Sequence, residues 1–198
     1  MSKIKIYRFV ALAFVLAALA GCARSQAVNY YLLRSMQGPP PQAKALGQCM
    51  VVAVGPVEIP AYLDRPQMAI RPSPDTLHYS EYDRWAEPLD KNVARVLADD
   101  LSARLADAHV CVFPWPGSVP VRYQVRLTIV HLEKIAGEKV VLDANWSLWG
   151  NNGKKLLLMR RSRIVEPVEA PADYKRIAAA ESRAVDSLSR EIAPRLTP

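Results

Sequence analysis

Histidine is scarce in this chain: His78, His109 and His131 are the three present, and no two of them share H-x-x-x-H or another ligand spacing. That scarcity argues against a histidine-built metal centre. No G-x-S-x-G elbow occurs, so a hydrolase triad lacks its usual landmark. The nearest approach to a phosphate loop, Gly150-Asn151-Asn152-Gly153-Lys154, is too short and joins two strand patterns, so it reads as a hairpin turn. Asp99 and Asp100 are adjacent on a helical pattern. Side chains one position apart diverge by about 100°, which suits a solvated face better than a convergent acid pair.

Long apolar runs are also lacking, with one exception. Phe9 to Ala20 is unbroken and follows Lys3, Lys5 and Arg8. At about 12 residues it is too short to cross a ~30 Å hydrocarbon core, which needs roughly 20. A positive n-region, an apolar h-region and a small-residue site together read as a signal peptide over residues 1–21. Leu19-Ala20-Gly21-Cys22 then fits a lipobox, in which a thiol at the cut site accepts diacylglycerol. The rival is ordinary secretion, because Ala18-Leu19-Ala20 also satisfies an A-x-A rule. Loss of Lys3, Lys5 and Arg8 with the signal lowers the formal charge from +7 to +4. That is an ordinary solvated surface and excludes a nucleic-acid footprint.

Three cysteines are an odd number for an oxidising compartment. If Cys22 carries lipid, Cys49 and Cys111 remain for a disulfide that would close a loop of about 60 residues. Two buried thiols that never meet are the alternative.

Residues 22–48 read as the lipidated N-terminus and a linker, interrupted by Tyr30-Tyr31-Leu32-Leu33 as a short first strand. Residues 49–198 read as the domain. Cys49 to Ile59 is a valine-rich strand with Gly55-Pro56 marking a bulge or an edge. Met68 to Arg71 and Leu77 to Tyr79 flank a Pro-Ser-Pro-Asp turn. From Pro88 to Ala106, Leu89, Val93, Val96, Leu97, Leu101 and Leu105 make one helical stripe. After a strand at Val110–Phe113, alternating segments at Val121–Ile129, Val140–Leu148 and Leu156–Val165 predict a meander. A last helix spans about Pro171 to Ala193, its apolar side opposed by arginines and acids. The expected fold is α+β: an antiparallel or mixed β-sheet with two main helices packed on one face.

Two stretches mix charge, aromatics and proline in what should be loops. They are Ile59 to Met68, and Arg84-Trp85-Ala86-Glu87-Pro88-Leu89. Such loops suit recognition. The plainer reading pairs Arg84 with Glu87 and lets Trp85 plug the helix start, leaving Tyr62 and Arg65 open. These segments, Val52 to Met68 and Arg84 to Leu89, together with the lipobox and the Tyr30-Tyr31-x-Leu33 element, resemble the PqiC-type lipoproteins, auxiliary components of ABC-type and MCE-type transport systems. The resemblance covers the mature chain, by motif in the first half and by pattern in the second. It implies no catalytic residues and no cofactor. It also implies a role in lipid movement between membranes and envelope integrity, with an MCE-domain protein of a Pqi-like system as partner. A homo-oligomeric ring is a further expectation. Ala23, following the lipidated cysteine in place of Asp, points to the outer membrane, periplasmic face. Tyr62, Leu63, Asp64, Arg65 and Gln67 are the candidate partner-binding residues. The alternative is a lipid carrier with its own hydrophobic cavity.

Overall fold

The computed structural model of the chain describes residues 26–38, 49–106, 110–114 and 120–196. The signal segment and Cys22 lie outside them, as does His109. Eight strands fall into two groups of four, each group followed by a long helix. The strands are β1 (Asn29–Tyr31), β2 (Met50–Glu58), β3 (Gln67–Ser73), β4 (Thr76–Trp85), β5 (Val110–Pro114), β6 (Tyr123–Ile135), β7 (Lys139–Gly150) and β8 (Lys155–Pro167). The helices are α1 (Leu89–Arg104) and α2 (Tyr174–Ile192), and a 3₁₀ turn at Ala193–Arg195 follows.

One mixed sheet contains all eight strands, and β6 is its fork. One edge of β6 pairs antiparallel with β7, which pairs with β8. The other edge is shared in parallel by two strands: β2 along the N-terminal half and β3 at Lys134–Ile135. Beyond β2 lies β5, and beyond β3 lie β4 and then β1. A 13-residue strand is long enough to serve two neighbours in this way. The meander expected from alternation is present as β6–β7–β8. The turn between the last two strands uses Asn151, Asn152 and Gly153 at positive φ, a conformation Asn and Gly tolerate best.

Both helices pack on the same face. The stripe of α1, Leu89, Val93, Val96, Leu97, Leu101 and Leu105, is buried throughout. It lies over β2 and β5, while α2 covers β7 and β8 with Ile177, Val185, Leu188 and Ile192. Asp173 caps α2, accepting the Arg176 N–H at 2.7 Å. Among the described residues no helix is long and apolar enough to cross a membrane.

Several local expectations change. Arg84 and Trp85 end strand β4 and are not in a loop, because Trp85 closes the ladder with Tyr31 of β1. Of the two readings of Gly55-Pro56 the bulge holds and the edge does not: β2 lies between β5 and β6, and its register against β6 shifts between Val54 and Val57. Asp100 is fully buried, not solvated, and accepts from Ser35 Oγ at 2.6 Å and from the Met36 N–H at 3.1 Å. The segment after β1 crosses both helices and covers it, a tertiary event invisible to helical periodicity. Glu181 likewise lies on the buried side of α2, not among the exposed charges.

Candidate functional site

Cys49 and Cys111 are joined by a disulfide, with Cα atoms 5.6 Å apart. The parallel pairing of β2 with β5 sets that distance, since Met50 is opposite Val110 and Val51 opposite Cys111.

The connection from β2 to β3 holds the candidate binding residues, and it is a folded turn. The Leu63 N–H donates to the Pro60 carbonyl at 2.8 Å, and the Arg65 N–H to the Leu63 carbonyl at 2.9 Å. Leu63 is 4% exposed and belongs to the core cluster, so it is a structural plug and offers no contact surface. Tyr62 is half-buried. Its hydroxyl donates to Glu133 Oε2 at 2.9 Å and lies 3.2 Å from His131 Nδ1. Burial, then the neighbouring Glu133 charge, raises the Tyr62 pKa well above the usual phenol range. The Glu133 side chain is wholly buried and also accepts from Arg71 Nε at 2.8 Å and the Leu132 N–H at 2.9 Å. Three donors on one carboxylate offset its desolvation.

Asp64, Arg65 and Pro66 remain exposed, while Gln67 begins β3, half-buried and opposite Arg84 of β4. The Arg65 guanidinium lies over the Tyr79 ring, 4.2 Å from its centroid. The Trp85 N–H donates to the Pro66 carbonyl at 2.7 Å, tying the two motif segments together. Between them opens a cleft of about 300 Å³ lined by Asp64, Arg65, Pro66, Trp85, Glu87 and Pro88, with Ala86 and Leu89 completing it.

Glu87 does not pair with Arg84. It accepts from Arg95 at 2.6 Å and from Asn92 Nδ2 at 2.5 Å, both on α1. Helical spacing explains this, because Asn92 and Arg95 return to the face above the N-terminus of α1. Asn92 is buried, and its Oδ1 accepts the Leu33 N–H at 2.7 Å. Glu87 also borders a second cleft, of about 470 Å³, with Pro56, Lys91 and Pro114.

The geometry therefore unites Asp64 and Arg65 with Trp85–Leu89, withdraws Leu63 from the surface and ties the half-buried Tyr62 to Glu133 through its hydroxyl. The Glu133–Arg71–His131 cluster escaped sequence reasoning. Its signal was the spacing of His131 and Glu133 two apart on a strand, which puts both on one face. Nothing along the chain marks Arg71 and Tyr62 as their neighbours. Among the described residues no group of three or more potential ligands could hold a metal ion.

Residues 31–193 match the ABC-type transport auxiliary lipoprotein component family. The chain belongs to this family. The match spans both motif segments and both helices, and it is the kind of family that the motif segments resembled. An auxiliary transport lipoprotein is not a known enzyme family, and its members are lipoproteins of the cell envelope. Among solved structures, an uncharacterised protein superposes with a TM-score of 0.72 at 19% identity, covering 87% of this chain and 100% of its own. A Xanthomonas campestris protein of the DUF330 family gives 0.63 at 17% identity, covering 85% and 93%. At these identities the likeness shows the fold. The PelC dodecamer from Paraburkholderia phytofirmans is more distant, with a TM-score of 0.40 at 12% identity, covering 78% and 94%. No curated protein sequence matches the chain.

Proposed function

We propose that this family member is a non-catalytic docking subunit of an MCE-type intermembrane lipid transport system. In this reading acylated Cys22 holds it at the periplasmic face of the outer membrane, where it supports envelope integrity. The observation that carries the reading is the cleft between Asp64–Pro66 and Trp85–Leu89. Two segments at the ends of the β3–β4 hairpin, both within the family match, build one surface. Asp64, Arg65 and Glu87 line it together with the buried Trp85, a mixture of charge and aromatic that suits protein recognition.

The mechanism is geometric. Each buried methylene of an acyl chain contributes ~0.8 kcal/mol, so several chains make release negligible. Confinement to a plane then raises the effective concentration for a partner reaching across the periplasm. A homo-oligomeric ring would multiply the docking sites.

Photo-crosslinking from position 65 in cells, with an MCE-domain protein of the same cell as the named target, tests the docking. Capture that Asp64→Lys abolishes is the expected result. Capture from position 65 that is insensitive to Asp64→Lys, or none at all, removes the cleft from the interface. The alternative, a carrier with an internal cavity, predicts phospholipid co-purifying with the unacylated domain. Leu97, Leu127, Trp146 and Leu188 fill the interval between sheet and helices, which favours docking.

A further inference from the structure

The end of the sheet at the β7–β8 turn carries a charge pattern that the docking cleft does not use. No Asp or Glu occurs from Pro114 to Leu132 or from Ala144 to Val165. The strands formed by these residues lie side by side, since β6, β7 and β8 pair in order. Their cations therefore accumulate at one place. Arg161 and Arg163 are neutralised there by Asp143, at 2.8 Å and 3.3 Å. Arg122, Lys154, Lys155 and Arg160 are exposed and have no carboxylate on their own stretches of strand.

The same end exposes apolar side chains. Leu156 and Leu157 are each 45% exposed and Met159 is 64% exposed, an unusual concentration within four positions. A register shift opposite Leu148–Trp149 breaks the alternation of β8 here, so the apolar groups spread to both sides of the strand. Trp149 pairs with Leu156, and Arg126 stacks on the indole at 4.2 Å from its centroid. Next to the turn, Arg122, Asn151 and Asn152 line an open cleft of about 340 Å³ with Pro120 and Val121, roomy enough for a phosphate headgroup.

We infer that this end of the sheet binds the surface of a bilayer rich in anionic phospholipid. The turn and its apolar side chains enter the headgroup layer, and Arg122, Lys154, Lys155 and Arg160 meet phosphates. Long flexible cations ringing a few exposed apolar groups fit a fluid anionic plane, which needs no matched shape. β8 is a 13-residue edge strand, and its charges and bulge oppose strand addition by another protein. The surface is independent of the Asp64–Leu89 cleft. Strand β1 is also remote from it: the register from Asn29 through β4 and β3 leads to the far end of β6.

The test uses the mature chain from residue 22 with Cys22→Ser, which carries every described residue and no acyl group. Binding is measured by co-sedimentation with vesicles of phosphatidylcholine, alone or with about one-third phosphatidylglycerol, at low and high salt. The expected result is binding to the anionic vesicles alone, weakened by salt. Lys154→Glu/Lys155→Glu/Arg160→Glu should lower that affinity about 100-fold or more. Leu156→Asn/Met159→Asn should lower it about tenfold while keeping the lipid preference. These side chains are exposed, so unchanged near-UV circular dichroism checks the fold of each variant. Equal binding to both vesicle types, no binding, or unaltered affinity in either variant overturns the proposal. Because the docking test uses a protein partner and the cleft residues, the two ideas fail separately.

Discussion

The Tyr62 hydroxyl donates to the buried carboxylate of Glu133 at 2.9 Å, so a motif residue that reads as a surface contact is a brace for the sheet. The bond fastens the β2–β3 turn to β6, 71 positions away along the chain. By holding the turn it fixes where Asp64 and Arg65 stand.

Tyr62→Phe should therefore lower stability by about 1–3 kcal/mol, the cost of removing one donor from a buried charged acceptor. Arg65→Ala, whose side chain is exposed, should change it by less than about 0.5 kcal/mol. Chemical denaturation of the two variants separates the brace from the contact surface. Equal stabilities would mean that Glu133 finds its missing donor elsewhere.

Glu181 faces the core of α2, and its Oε2 has no hydrogen-bond partner among the described residues. Burial, then the charge of Glu133, holds its pKa well above the ordinary carboxylate range. The folded chain thus keeps a proton that the unfolded chain releases above about pH 4.3. The stability linked to this proton is fully present below that pH and is lost as pH rises towards the raised folded value. Urea titrations from pH 4 to 8 should show Glu181→Gln gaining stability relative to the parent as pH increases. Parallel pH profiles would assign the slope to another group.

Asn92 links three parts of the molecule, since it accepts from Leu33 and donates to Glu87 from within α1. Asn92→Leu should cost about 1–3 kcal/mol by leaving the Leu33 N–H unpaired. Hydrogen exchange should quicken at Leu33 and along β1 before it does in β6 and β7. Unchanged protection of β1 would show that its pairing with β4 suffices.

The Cys49–Cys111 bridge spans 62 positions. Cys49→Ser/Cys111→Ser should reduce stability by about 2–5 kcal/mol, through the entropy regained by the open loop in the unfolded chain. In thermal melts the parent with reductant should match the double variant, and the parent without reductant should melt higher. A reductant-insensitive parent would mean that the thiols are unlinked in solution.

How much of this was legible beforehand depends on the range of the interaction concerned. Strands β6, β7 and β8 and both helices could be read from periodicity, because alternating or 3.6-residue burial is written locally. The Asn-Gly turn was equally local. The burial of Asp100 was not, since the segment at Ser35 and Met36 that covers it comes from 64 and 65 positions earlier. Arg84 and Glu87 are near in sequence, yet Glu87 turns to Arg95 because the helix brings that guanidinium closer.

The sequence by itself determined the α+β class, the faces of the long elements and the two motif segments that belong to the family. It did so because side-chain period and motif content need no distant partner. Only the tertiary structure decided which motif residues reach solvent and which strands share an edge of β6. Those outcomes depend on parallel pairings between strands distant in the chain, and no local pattern encodes them.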